Sequence, residues 1–218
     1  MTTDAFLHFA QYDLQTIALI WMAALYGVKV YQMWRLPMAW ERAPRKGSPG
    51  RGVLSSYASI LFPWLMESSR KHLWRWVEFA VYHLGAAAAI LVTFALPLAS
   101  GLLVRPLRYV LASLALAAAL LGIAKLARRF TRPELRIVST PDDYLSLAAL
   151  EVFFLATAAV LLADGTGTRI VFFFITAAFL FYVPFSKISH YVYYFMAGVF
   201  TGTRYGFRGV RPSVRRAS

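Results

Sequence analysis

The sequence predicts an all-α membrane protein with five transmembrane helices. Apolar residues make up 59% of the 218 residues and charged residues 15%, whereas soluble domains have about 45–50% apolar and about 25% charged residues. Five stretches stay apolar over the roughly 20 residues that a bilayer crossing requires. The net charge of +13 falls mostly in alternate connections between those stretches. This composition disfavours both intrinsic disorder and an ordinary soluble fold.

The five predicted spans run, in chain order, over Leu14–Met33, Trp76–Leu98, Leu107–Leu126, Tyr144–Ala163 and Ile170 to about Phe200. No charged region precedes the first apolar stretch, which favours a retained helix over a cleaved signal peptide. Pro184 is expected to kink the last span rather than end it, because neighbouring helices can satisfy the freed carbonyl. The apolar segment 53–66 is short and broken by Pro63, so we expect a short interfacial helix there.

The basic residues give the orientation. Nine lie between Lys29 and Arg75, five between Lys125 and Arg136, and six from Lys187 onward, while the other two connections hold three. The positive-inside rule then places the N-terminus outside and the C-terminus in the cytoplasm. The predicted domains are an outer segment 1–13, a five-helix membrane domain 14–200 and a basic cytoplasmic tail 201–218. Basic residues arranged as loop anchors do not form a nucleic-acid-reading face.

Two histidines are candidate haem ligands. His83 lies seven residues inside the second predicted span, roughly 10 Å from its cytoplasmic end, and His190 lies late in the fifth. Two imidazoles at similar depth on antiparallel helices suit the two axial positions of a haem. The small residues 85–89 would leave room beside the ring. Arg75 and Lys187 are candidates for pairing with the propionates.

The same histidines fit a plainer role, because polar side chains in spanning helices often serve as interhelical hydrogen-bonding groups. The sequence contains no cysteine, which excludes disulfides, zinc–thiolate sites and iron–sulfur ligation within these residues. His72 is interpreted as part of an interfacial basic and aromatic anchor. His8 is interpreted as an exposed residue of the outer segment.

Glu151 is the one charged residue well inside the fourth predicted span. An intramembrane carboxylate suggests proton exchange with a quinone, and an interhelical salt bridge to Lys187 or Arg75 is the structural alternative. The run 139–143 (Ser-Thr-Pro-Asp-Asp) has the pattern of a capped helix start and is interpreted as structural. The Gly-rich basic tail 202–211 fits either lipid headgroups or a cytoplasmic partner.

Three motifs resemble a known family. The run Pro184-Phe185-Ser186-Lys187-Ile188-Ser189-His190 resembles the gamma subunit of respiratory nitrate reductase. The run Tyr82-His83-Leu84-Gly85 resembles that family's haem-binding second helix. The stretch 132–144 looks like the connection between its third and fourth helices, and is closer still to the membrane cytochromes of sulfite-reduction-associated and heterodisulfide-reductase-like complexes. The resemblance covers about Arg70 to Arg208.

This resemblance implies a cytochrome b subunit of the bacterial or archaeal inner membrane. Such a subunit is the electron-transfer part of a quinone-linked oxidoreductase, and it exchanges electrons between the quinone pool and a cytoplasmic iron–sulfur partner. It also implies that His83 and His190 are the axial ligands of a haem b. The family's second haem would be ligated at the positions of Thr93 and Phe172, which cannot bind iron, so we expect one haem.

In the family, a basic residue near the outer end of the third span helps to hold the quinol, which makes Arg105 and Arg108 candidates. A different class of function stays open beside this one: a haem-free membrane anchor or assembly scaffold for a soluble complex. A transporter is less favoured, because the sequence shows no internal repeat and no paired broken helices.

Overall fold

The computed structural model describes residues 2–37 and 44–210, and every regular element within them is helical. The α-helices of this part of the chain are α1 (Thr3–His8), α2 (Leu14–Trp34), α3 (Pro49–Leu61), α4 (Glu67–Lys71), α5 (Leu73–Leu98), α6 (Arg105–Thr131), α7 (Pro133–Val138), α8 (Pro141–Leu162), α9 (Thr166–Tyr182) and α10 (His190–Phe207).

Five helices in the described residues are long and apolar enough to cross a membrane. They are Thr3–Trp34, Leu73–Leu98, Arg105–Thr131, Pro141–Leu162 and Thr166–Phe185. Large apolar side chains such as Ile20, Leu98 and Leu120 are 65%, 76% and 70% exposed, and a bilayer would cover such surfaces. The predicted all-α membrane protein with five spans is confirmed.

The first span begins earlier than predicted. Helix α1 passes through a π-helical turn, Phe9–Asp13, directly into α2. Most of the predicted outer segment 1–13 is therefore part of a long helix. Tyr12 within the turn donates a hydrogen bond to the Pro97 carbonyl oxygen at 3.3 Å, and Gln15 donates to the Phe173 carbonyl oxygen at 2.6 Å.

The described residues form two compact units. In the first unit, residues 2–25 and 78–188, α6 packs against α8 and α8 packs against α9. Its core is built around large side chains with almost no exposed surface, namely Val92, Phe153, Phe154, Val160, Phe172 and Phe173. Gly85 of α5 contacts Ala118 of α6 so closely that no side chain fits between the two helices.

In the second unit, residues 26–37, 44–77 and 189–210, α3 packs along α10. Gly198, Gly202 and Gly206 recur every four residues along α10, and each lies against α3. A Cβ atom placed on Gly202 would lie 2.5 Å from the Val53 Cα atom, so the two backbones are in contact. Small residues at this spacing permit such close helix packing.

The predicted interfacial segment 53–66 is part of this arrangement. Helix α3 begins at Pro49, before the predicted start, and a short 3₁₀ turn at Pro63–Leu65 follows it. Thirteen residues of helix span only about 20 Å, less than the ~30 Å apolar thickness of a bilayer. The prediction of a short non-spanning helix agrees with this length.

The predicted fifth span, Ile170 to about Phe200, is wrong beyond Phe185. Helix α9 ends at Tyr182, two 3₁₀ turns follow, and α10 starts a separate helix at His190. Pro184 ends the helix rather than kinking it. Side-chain oxygens, rather than helical carbonyl oxygens, accept the backbone N–H groups that follow the proline. Asp142 accepts the Lys187 backbone N–H at 2.8 Å, and Ser186 Oγ accepts the Ile188 N–H at 3.1 Å.

The predicted tail boundary at residue 201 falls inside α10, which continues to Phe207. The backbone N–H groups of Lys46 and Gly47 both donate to the Phe207 carbonyl oxygen, at 2.9 and 3.1 Å. Gly209 follows with a φ of 70°, a conformation that glycine adopts without steric cost. Residues 211–218 of the predicted tail lie outside the described residues.

Candidate functional site

His83 lies on an exposed face of α5, and its tautomer is defined by the backbone. Its Nδ1 atom is 2.8 Å from the Phe79 carbonyl oxygen. Because a carbonyl only accepts, Nδ1 carries the hydrogen and Nε2 carries the lone pair. Histidines that bind metals commonly donate their other ring N–H to a carbonyl in this way, which orients the imidazole. The Phe79 ring, with its centroid 4.0 Å from that of the imidazole, packs beside it.

The small residues after His83 divide between two faces. Ala87 lies one turn after His83 on the same exposed face, where a small side chain keeps space open next to the imidazole. Gly85, Ala88 and Ala89 are buried, and Gly85 contacts α6. The prediction that the whole run 85–89 makes room for haem is therefore wrong for these three residues, whose small size serves helix packing.

His190 is exposed and is the first residue of α10. It belongs to the second unit, whereas His83 belongs to the first. The inference of matched depth placed His190 late in the fifth span, and that premise is wrong because the spanning helix ends before it. The pairing of the two histidines stays a prediction.

Thr93 and Phe172, the positions at which the resembling family would bind a second haem, are both buried in the core of the first unit. The Thr93 hydroxyl donates to the Ala89 carbonyl oxygen at 3.0 Å. The Phe172 ring stacks on Phe153 with 6.3 Å between centroids. Packed side chains occupy both positions.

Glu151 of α8 is 6% exposed and faces α5 and α6. The Tyr82 hydroxyl donates to its Oε1 atom at 3.3 Å. Its Oε2 atom is buried without a hydrogen-bond partner among the described residues. Gly122 of α6 leaves the space that the carboxylate fills, because a Cβ atom there would overlap with it.

Charged groups continue from Glu151 along α6. The Lys125 Nζ atom lies 3.8 Å from the centroid of the Tyr82 ring, a cation–π contact. One turn further, Arg128 Nη2 is 3.3 Å from Glu78 Oε2. Helices α5, α6 and α8 therefore bring together a cluster that we call the carboxylate cluster: Glu78, Tyr82, Lys125, Arg128 and Glu151.

Lys187 does not form the salt bridge to Glu151 that was one of the predicted alternatives. Its ammonium pairs with Asp143 Oδ2 at 2.5 Å. Asp143 also accepts the Thr140 backbone N–H at 2.8 Å, so the predicted capped start of α8 is confirmed. The neighbouring Asp142 accepts the Tyr182 hydroxyl at 2.6 Å. The capping motif and the Pro-Phe-Ser motif, which the sequence separates by 40 residues, are in direct contact.

The two arginines predicted for quinone binding have different surroundings. Arg105 is exposed at the start of α6. Arg108 Nη2 is 2.6 Å from Asp164 Oδ2, and the Arg108 Nε atom is buried without a partner among the described residues. Arg169 also pairs with Asp164, at 2.7 Å. The Arg169 hydrogen bond is the main cause of a lowered pKa for Asp164, and Arg108 adds to it.

The remaining predicted residues, His8, His72 and Arg75, are all exposed. Among the described residues, no three His, Asp or Glu side chains come together in a way that could hold a bare metal ion.

Comparison with protein-family models, with curated proteins and with solved structures found no match for this chain.

The site residues that sequence reasoning missed are Glu78, Tyr82, Gly122, Lys125 and Arg128. Gly122 and Lys125 are three residues apart and so share a face of α6. A glycine and a lysine on one face near the end of a spanning helix indicate such a site only when the carboxylate on the opposing helix is already known. The partner Glu151 was identified from its burial in an apolar stretch, but its contacts depend on the relative rotation of three helices.

Proposed function

We propose that this chain is a membrane cytochrome b subunit of the inner membrane. It transfers electrons between the quinone pool and a cytoplasmic iron–sulfur partner through one haem b, with His83 and His190 as axial ligands. The proposal rests on the resemblance of three sequence motifs to the nitrate reductase gamma family. The chain would then be the electron-transfer subunit of a quinone-linked oxidoreductase complex.

The observation that carries the proposal is the hydrogen bond between His83 Nδ1 and the Phe79 carbonyl oxygen. It selects the tautomer in which Nε2 can bind iron, and it restrains the ring. The small Ala87 on the same face is compatible with a planar group beside the imidazole.

Haem b supplies reversible one-electron transfer when it is bound. The protein holds and orients the group, and Arg75 and Lys187 are the proposed propionate partners. Lys187 already pairs with Asp143, so that aspartate would share the lysine with a propionate.

Quinone oxidation and reduction also move protons, and Glu151 is the proposed carrier. Its Oε2 atom is the place where a proton would be held, since that atom has no hydrogen-bond partner among the described residues. Tyr82 keeps the carboxyl group oriented through Oε1. Lys125, Glu78 and Arg128 extend a row of polar groups from Glu151 along α5 and α6. This row favours a role for Glu151 in proton passage over a purely structural role.

The quinone itself would be held by Arg105 and Arg108. The buried Arg108 Nε–H is a donor that a quinone carbonyl oxygen would satisfy, and an unsatisfied buried donor is costly. The basic cytoplasmic connections are the proposed contact surface for the iron–sulfur partner, since the chain lacks cysteine ligands of its own.

The test is a reduced-minus-oxidised absorption spectrum of the purified chain, with iron measured per protein. We expect a b-type α band and one iron per chain. His83→Ala and His190→Ala should each abolish the band, while His8→Ala and His72→Ala, at exposed positions, should keep it. A protein without the band, tolerant of all four substitutions, would instead be the haem-free anchor or scaffold.

The proton role is tested separately by Glu151→Gln, which keeps the shape of the side chain. We expect normal haem content with slowed electron exchange between haem and a quinol analogue. Glu67→Gln, a substitution at an exposed carboxylate outside the spans, is the matched control. An unchanged rate in Glu151→Gln would leave Glu151 with a structural role only.

A further inference from the structure

The second unit contains a cavity of about 730 Å³ between the start of α3 and the end of α10. Two cations and several hydroxyl groups line it: Lys46, Arg51, Ser55, Ser56, Ser59 and Tyr205. Among the described residues, its lining includes no carboxylate. None of the residues proposed to bind haem or quinone lines this cavity.

Glycines shape the cavity. Gly47, Gly52, Gly202 and Gly206 all belong to its lining, and the α3–α10 contact at these residues is backbone against backbone. Without side chains at these positions, main-chain atoms of both helices form part of the cavity wall.

The two cations are available for a ligand. Among the described residues, neither Lys46 nor Arg51 forms an ion pair. Ser59 donates to the Ser56 carbonyl oxygen at 2.8 Å, while Ser55 and Ser56 also belong to the cavity lining and carry hydroxyl groups that can donate. Two positive charges with hydroxyl donors and no acid are the chemistry that a phosphate group requires.

The surroundings point to a lipid rather than a soluble anion. Leu54, Leu61 and Trp64, on and just after α3, are 70%, 66% and 59% exposed. Exposed tryptophan beside basic residues is typical of the membrane interface. The distribution of basic residues places the connection from Lys29 to Arg75 on the cytoplasmic side, where the leaflet carries anionic lipids. Met66 and Val210 add apolar side chains to the cavity lining.

We propose that this cavity binds the phosphate of an anionic phospholipid of the cytoplasmic leaflet. Lys46 and Arg51 pair with the phosphate, and Ser55 and Ser56 donate hydrogen bonds to the headgroup. The acyl chains leave the cavity past Met66 and Val210, the apolar side chains of its lining. A volume of this size is within the range of about 300–1,000 Å³ found for specific ligand sites.

The test is native mass spectrometry of the full chain in non-ionic detergent, with phosphatidylglycerol or phosphatidylcholine added. We expect retention of phosphatidylglycerol well above that of phosphatidylcholine. The double variant Lys46→Gln/Arg51→Gln should weaken phosphatidylglycerol binding about 25-fold, because each basic residue contributes roughly five-fold. Arg70→Gln removes an exposed cation outside the cavity lining and is the matched control.

A second variant tests the site by shape. Ser55→Phe fills the cavity without changing its charge, and it should also abolish preferential phosphatidylglycerol retention. Thermal unfolding of each variant identifies any loss of fold. Equal retention of both lipids, or equal effects of the double variant and Arg70→Gln, overturns the proposal. Displacement of the lipid by inorganic phosphate at the same concentration would assign the site to a free phosphate instead.

Discussion

The substitution Gly202→Ala tests the close packing of α3 on α10. In the native structure the two backbones meet at this residue. An added Cβ atom would lie 2.5 Å from the Val53 Cα atom and 2.8 Å from the Gly52 carbonyl oxygen. Both are backbone atoms, so no side chain can rotate away to make room, and one helix must move.

The size of the movement sets the expected cost. Carbon atoms in contact prefer a separation of about 3.5–4.0 Å, so the helices must separate by at least about 1 Å at this point. Overpacking of this kind costs roughly 1–3 kcal/mol. Replacing a helical glycine by alanine returns up to about 1 kcal/mol of helix propensity. We expect a net loss of up to roughly 2 kcal/mol in the free energy of unfolding.

The matched control is Gly50→Ala, in α3 itself. A Cβ atom on Gly50 meets nothing within 4 Å, so this variant should be neutral or slightly more stable. Thermal unfolding in detergent measures the stability of both variants. Hydrogen exchange of peptides from Pro49–Leu61 should show faster exchange in Gly202→Ala only. If both variants unfold alike and α3 keeps its protection, the packing argument is refuted.

Three further outcomes are expected. Tyr82→Phe leaves Oε1 of the buried Glu151 without its donor and should lower the free energy of unfolding by roughly 1–3 kcal/mol; a neutral effect in a denaturant titration would contradict this. The hydrogen bond from Arg169 lowers the pKa of Asp164. The Asp164 carboxylate therefore stabilises the fold at pH values above the unfolded-state pKa of about 3.9, and this stabilisation is lost as the pH falls through the lower folded-state pKa. Asp164→Asn should therefore lower the melting temperature at neutral pH, with a difference that shrinks in acid; a difference independent of pH would argue against it. Asp143→Ala removes a helix cap worth about 1 kcal/mol and an ion pair worth up to ~1 kcal/mol. It should therefore destabilise the fold more than Lys187→Ala does. Equal losses of stability would disprove the double role of Asp143 as cap and ion-pair partner.

The carboxylate cluster and the proposed lipid-binding cavity have one structural feature in common. Each lies where a glycine leaves a helix contact without a side chain. Gly122 creates the space for the Glu151 carboxylate, and Gly52 with Gly202 brings α3 and α10 into backbone contact. In an apolar solvent the hydrophobic effect gives helices little reason to associate, so close packing and polar contacts decide which faces meet. Glycine positions therefore carry much of the information about how these helices pair.

The sequence determined the class of the protein and the number of its spans. Length, apolar content and the alternation of basic connections are properties of each segment taken alone, because a bilayer acts on every helix independently. The capped start of α8 was predictable for the same reason, since the Thr140–Asp143 contact is local. The candidate ligand His83 was identified by its position in an apolar stretch, and its tautomer follows from a partner only four residues away.

Tertiary structure decided the features that depend on two distant segments. Pro184 was expected to kink a continuous helix, but Asp142 accepts the freed Lys187 N–H and stabilises a break instead. Glu151 was recognised as a buried charge, yet its partners Tyr82 and Lys125 depend on how three helices are rotated about their axes. Residues 202–207 were expected to belong to a basic, Gly-rich tail that fits lipid headgroups or a cytoplasmic partner. They form the end of α10 because those glycines fit a partner helix about 150 residues earlier in the chain, a fit that no local pattern specifies.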